Sequence, residues 1–343
     1  MSAASRRWAA SWAGEGRGVS MRRGMGTFRS GVVGLRGRYV NRRTGGDVRV
    51  AGAVNGDVSC AVGTETEWRC ASRRSGHARI EPMSLRSSQE ALQSLGVHDG
   101  LLSAAEKAFL DEQGYLPRGK ILSDDDVARV RQRLDELATA EGEAAGQELH
   151  QEAGTKRLAN LLEKDAVFEQ FVVSPRVLAG VTHVIGRSIQ LSSLSSRSAL
   201  PGQGQQEIHA DWADPVPTGD FLVCNAAWMI DDFSAENGGT RIIPGSQRRD
   251  TRPRESLADV MADQPDQINV SGSAGSVVVF NSHTWHGGAL NRSATERRVV
   301  LSYFTVRHSE YIQNDHRQLL SDATKRRMSR EALVLAAALE DQD

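Results

Sequence analysis

Apolar residues keep two different periods along this chain. Between Ser103 and Ile185 they recur every three or four residues, and beyond Gly186 they fall into short blocks bounded by Gly and Pro. Ser103-Ala104-Ala105-Glu106 has the form of a capping box and predicts a helix that ends at Gly114, with Tyr115-Leu116 opening a short extended piece. Ser123-Asp124-Asp125-Asp126 predicts a second helix start, and Val127, Val130, Leu134 and Leu137 share one face of that helix. Residues 140–155 are small and polar and read as a loop. Leu158, Leu161, Leu162, Val167, Phe168 and Phe171 predict more helix, as do Val177, Leu178 and Val181 after Pro175.

After Gly186 the blocks have strand length. Ser188 to Ala199 is extended and stops at Pro201-Gly202; Phe221 to Ile230 is an apolar run. Thr240 to Ile243 lies between Asn237-Gly238-Gly239 and Pro244-Gly245. Ile268–Val270, Ser276–Phe280 and Arg297–Val306 complete the set, before a polar, helical tail. Helices first and short strands with Gly/Pro turns afterwards indicate an α+β protein whose second half is a sandwich or barrel.

Charge divides the chain differently. Over residues 1–80 there are 15 Arg, no Lys and 5 acidic residues, a net +10, whereas the rest carries −11. The basic part is rich in Gly, Arg and Ser and keeps no period, so it cannot offset the entropy of ordering. Its three readings are a basic arm for nucleic acid, an organellar transit segment, and sequence upstream of a true start at Met83; the last is favoured. The expected division is a disordered extension over 1–82 and one domain over 83–343. The acidic body argues against a nucleic-acid partner. No apolar run reaches the roughly 18 residues of a membrane span, and the three Cys (60, 70, 224) form no disulfide framework. A cytoplasmic location follows, with organellar import through the basic end as the other reading.

His209 and Asp211 are two residues apart, which on a strand places both on one face. An imidazole and a carboxylate there are two ligands for a divalent metal. A third would come from Trp285-His286-Gly287-Gly288, with His283 a close rival; the glycine pair, which permits close approach, favours His286. Two His and one carboxylate with open positions is the pattern of non-haem Fe(II) oxygenases. On strand 297–306, Arg297 shares a face with Val299, Leu301, Tyr303 and Thr305, and a guanidinium so placed needs an anionic partner. His77, His98, His150, His183, His308 and His316 have no ligand spacing. Trp212, Trp228 and Trp285 are candidates for pocket lining. The sequence contains no phosphate-binding Gly loop, no Ser-His-Asp elbow and no CxxC.

Taken together, Gln206-x-x-His209-x-Asp211, Asp232-Phe233-x-x-x-Asn237-Gly238-Gly239-Thr240, Pro244-Gly245-Ser246, Trp285-His286-Gly287-Gly288-x-x-Asn291 and Arg297 resemble the phytanoyl-CoA dioxygenase (PhyH) family over about residues 104–320. Gln247 departs from the family, which often has His there. The resemblance implies a double-stranded β-helix (jelly-roll, cupin-like) with flanking helices. It implies Fe(II) on His209, Asp211 and His286, and 2-oxoglutarate with its distal carboxylate on Arg297. Gln206, Asn225 and Thr240 become further cosubstrate contacts. It implies an O₂-dependent dioxygenase that hydroxylates a small organic molecule while converting 2-oxoglutarate to succinate and CO₂. Because Asp211 is a carboxylate where halogenating relatives carry a small residue, hydroxylation is favoured. The alternative is a non-catalytic β-helix protein that binds a metal or small ligand.

Overall fold

The computed structural model describes Leu85 and residues 87–339. The expectations for residues 1–82, with Cys60 and Cys70, lie outside the described residues. Helix α1 (Ser88–Ser94) starts at Ser87 with a capping box. Helix α2 (Ala104–Gln113) starts at the predicted Ser103/Glu106 box and ends at Gly114, whose φ is 79°. Only glycine fits there, because a Cβ would lie 2.3 Å from Thr284 Oγ1. Strand β1 (Tyr115–Lys120) follows. Helix α3 (Asp124–Glu141) is capped by Ser123 and buries Val127, Val130, Leu134 and Leu137, as its period requires.

Strand β2 (Thr155–Leu158) lies where the expected loop over 140–155 ends and includes Leu158, from which helix is expected. That helix begins only with α4 (Leu161–Lys164), followed by a 3₁₀ turn over Ala166–Phe171. Pairing decides the difference: residues 155–158 are hydrogen-bonded to a neighbouring strand, and only Leu158 of the four joins the helical core. Helix α5 (Pro175–Ile185) has Pro in its first turn and ends at Gly186 in the left-handed region.

The strands are β3 (Ile189–Ala199), β4 (Val223–Met229) and β5 (Thr240–Ile242), then the single turn α6 (Pro253–Ser256), then β6 (Ile268–Asn269), β7 (Ser276–Asn281), β8 (His286–Gly288) and β9 (Arg297–Val306). They form one sheet ordered β1-β7-β4-β9-β3-β2 and a smaller one ordered β6-β5-β8. Every pairing is antiparallel. Ala227, Met229, Val278, Phe280 and Val299 of the large sheet pack with Ile242 and Ile268 of the small one. The alternate residues Ala226, Trp228, Val277, Val279, Val300 and Phe304 pack instead with Val177, Leu178 and Val181 of α5. Two facing antiparallel sheets with helices on the outer face of one make the double-stranded β-helix.

The tail comprises α7 (His316–Leu319), α8 (Asp322–Arg327) and α9 (Arg330–Leu335). It is helical as expected but not simply polar, since Ala332, Leu333, Val334 and Leu335 are buried. This apolar run, 332–339, is continuous and so shows no helical period of its own.

Candidate metal centre

The strand on which His209 and Asp211 would share a face is reduced to one antiparallel bridge, His209 to His286. Each backbone N–H donates to the other residue's carbonyl at 2.8 Å. Glycine makes this approach practicable: a Cβ on Gly287 would lie 2.6 Å from the Glu207 carbonyl oxygen, and one on Gly288 2.9 Å from an Arg197 nitrogen. The two rings face each other with centroids 4.5 Å apart.

The imidazole tautomers follow from the backbone. His209 Nδ1 lies 2.9 Å from the Glu207 carbonyl oxygen and His286 Nδ1 2.8 Å from that of Thr284. A carbonyl only accepts, so each Nδ1 carries the proton and each Nε2 keeps its lone pair. Both Nε2 atoms turn to Asp211 Oδ1, at 3.7 and 3.6 Å. Asp211 Oδ2 is buried with no hydrogen-bond partner. Ligand atoms of the three residues lie within 4.8 Å of one another. Burial pushes the His286 imidazolium pKa down to about 4, against the pull of Asp211, so the ring is neutral. Two imidazoles with Nδ1 held by carbonyls and Nε2 turned to a carboxylate with an unsatisfied oxygen fit a divalent metal.

His283, the rival, is differently engaged. Its Nε2 accepts the Leu222 N–H at 3.2 Å, and its ring lies beside Phe221 and Trp212. Trp212 also meets Tyr311 edge to face, whereas Trp228 and Trp285 are core residues.

Arg297 is 2% exposed, on the interior face of β9. One Nη donates to the Gly238 carbonyl, and the Phe233 ring lies 4.4 Å from Cζ. Its Nε has no partner, and among the described residues no carboxylate pairs with it. Burial, reinforced by Arg197, pushes its pKa down to about 9, with Asp231 opposing. Asp231 is itself held by Arg131 and Arg298. Asn225 points one unsatisfied Oδ1 from β4. Thr240 lies opposite Gly288 on β5. Gln206 is already committed: its Nε2 donates to Glu152 at 2.6 Å and its Oε1 accepts the Gly288 N–H at 2.9 Å.

Sequence reasoning missed Glu152, Arg157 and Arg197, which adjoin this site. Glu152 accepts from Arg197 Nε at 2.8 Å and lies 3.6 Å from Arg157. A signal existed for Arg197, a charged residue inside the Ser-rich strand 189–199. Glu152 and Arg157 give none, being ordinary charges in or beside a polar loop.

The profile of the family described as Phytanoyl-CoA dioxygenase (PhyH) matches residues 110–299. A relative named Dioxygenase af480, from Aspergillus fumigatus, is 29% identical over 217 residues, which are 61% of this chain and 68% of the relative. L-proline trans-4-hydroxylase from Streptomyces griseoviridis is 29% identical over 232 residues, 57% of this chain and 83% of that protein. Among solved structures, EctD from S. alaskensis with bound Fe superposes with a TM-score of 0.51 at 18% identity, over 60% of this chain and 77% of its own. HygX from Streptomyces hygroscopicus, with nickel and 2-oxoglutarate bound, gives 0.50 at 16% identity, over 60% and 88%. These two likenesses concern the fold. With a profile match across more than half its length, the chain belongs to the phytanoyl-CoA dioxygenase (PhyH) family of 2-oxoglutarate-dependent non-haem iron oxygenases.

Proposed function

We propose that His209, Asp211 and His286 hold Fe(II), that Arg297 takes the distal carboxylate of 2-oxoglutarate, and that the enzyme hydroxylates a small organic molecule. The carrying observation is the triad, whose Nε2 atoms are turned to Asp211 by carbonyls on each Nδ1. Iron bound there supplies oxidative decarboxylation of 2-oxoglutarate with O₂. The chain supplies position. Arg297 presents a guanidinium that no carboxylate of the described residues pairs and whose Nε is without a partner, with the Phe233 ring over Cζ. Asn225 and Thr240 face the same interior and serve as further cosubstrate contacts. Gln206 acts through the backbone, fixing the Gly288 N–H two residues after His286. Val299, Phe280 and Met229 keep water from the interior.

The relative named L-proline trans-4-hydroxylase supports a small-molecule substrate. Among the described residues no helix is long and apolar enough to cross a membrane. The buried free thiol of Cys224 suits a cytoplasmic, reducing location.

Anaerobic titration with Fe(II) and 2-oxoglutarate tests the reading. The weak visible charge-transfer band of the chelate is expected in wild type and not in Asp211→Ala. A folded wild type without the band would overturn it.

A further inference from the structure

Two guanidiniums that the metal and cosubstrate leave unused face the same interior. Arg197 on β3 and Arg157 on the edge strand β2 stand directly opposite each other in register. Like charges so placed repel. One carboxylate lies between them. Glu152 Oε2 accepts from Arg197 Nε at 2.8 Å, while Oε1 takes Gln206 Nε2 at 2.6 Å and lies 3.6 Å from Arg157 Nη1. Arg197 gains a second partner in the Gly204 carbonyl at 2.7 Å. Arg157 does not: 3.6 Å is beyond hydrogen-bond reach, and its buried Nε has no partner. Yet its side chain is only 12% exposed.

Charge balance makes the same point. Around Glu152, two guanidiniums, on Arg157 and Arg197, face one carboxylate. A divalent metal and dianionic 2-oxoglutarate cancel one another. One positive charge remains, and Arg157 is its least paired carrier. A buried guanidinium with no hydrogen-bonded partner is costly, so the fold holds a place for a further anion.

That place differs from the Arg297 end. β2 is two strands from β9, or about 10 Å at normal strand spacing. Arg297 feels Arg197 and Asp231, whereas Arg157 feels Glu152, Arg197 and Asp211. We infer that Arg157 receives an anionic group of the substrate, and that the substrate is a small carboxylic acid whose carboxylate meets the guanidinium fork. This rests on the metal and cosubstrate reading above.

The test uses the full chain loaded with Ni(II) and 2-oxoglutarate, which holds the site without turnover. Acetate and benzoate are titrated against acetamide and benzamide at constant ionic strength. The Nε–H resonances of ¹⁵N-labelled Arg and the thermal midpoint are followed. The acids are expected to shift the Arg157 resonance and raise the midpoint, and the amides to do neither. Arg157→Gln should lose the acid response, bind 2-oxoglutarate as wild type does, and melt no lower, because it removes an unbalanced charge. Bound 2-oxoglutarate with no response to the acids overturns the inference alone. Loss of 2-oxoglutarate binding in Arg157→Gln assigns the guanidinium to the cosubstrate and overturns it too. A lower midpoint for Arg157→Gln makes Arg157 a structural partner of Glu152, which likewise overturns it. Failure of wild type to bind 2-oxoglutarate overturns the parent reading, and this one with it.

Discussion

Asp211 carries a buried oxygen without a partner beside two imidazoles whose Nδ1 atoms are already engaged. A single substitution at this centre should therefore act on the metal before it acts on the fold. His209→Ala, Asp211→Ala and His286→Ala are expected to lose iron, measured as metal content after anaerobic loading, while keeping the wild-type circular dichroism. Full occupancy in His286→Ala would return the role to His283. Arg297→Ala removes a buried charged donor pair, a loss of roughly 2 kcal/mol and so roughly 30-fold in the KM for 2-oxoglutarate. An unchanged KM would remove Arg297 from the cosubstrate site. His-x-Asp spacing and a charged residue on an apolar strand face made these residues legible. What separates His283 from His286 was not legible, because the Leu222 N–H that engages His283 lies 61 residues away.

Elements whose boundaries are set by local chemistry were readable from the sequence. The boxes at Ser103 and Ser123 and the left-handed Gly114 and Gly186 all stand where their residues imply. Ser123→Ala should lower stability by about 1 kcal/mol, seen in the urea midpoint with an unchanged slope. Gly114→Ala should cost more, since strain at positive φ adds to the clash with Thr284. Elements set by distant pairing were hidden. β2 exists because β3 hydrogen-bonds to it, and residues 205–211 are shaped by one bridge to His286 rather than by a strand of their own.

At the scale of the molecule, the interior charges tie stability to pH. Burial alone would raise the Glu152 pKa, but Arg197 and Arg157 more than offset it and hold the carboxyl below its usual range. A depressed folded-state pKa contributes stability that is fully present above the unfolded value, about 4.3, and is lost as pH falls through the folded one. Glu152→Gln should therefore cost about 3 kcal/mol at neutral pH, by leaving buried Arg197 without its carboxylate, and flatten the acid limb of the melting curve. A midpoint that still fell as steeply in acid would place the titrating group elsewhere. Deleting residues 1–82 should leave the melting transition in place, because the core runs from Ala91 to Ala338.

The position of β9 also governs when this protein becomes a protein during synthesis. It lies between β4 and β3, so without it the large sheet is two fragments, β1-β7-β4 and β3-β2. A nascent chain that has emerged as far as Glu296 already contains His209, Asp211 and His286, yet has no continuous wall behind them. Closure waits for residues 297–306 to leave the ribosome, and pairings this distant in sequence form slowly. Until then the three proposed ligands are only side chains on an open polymer, and the proposed iron site does not exist.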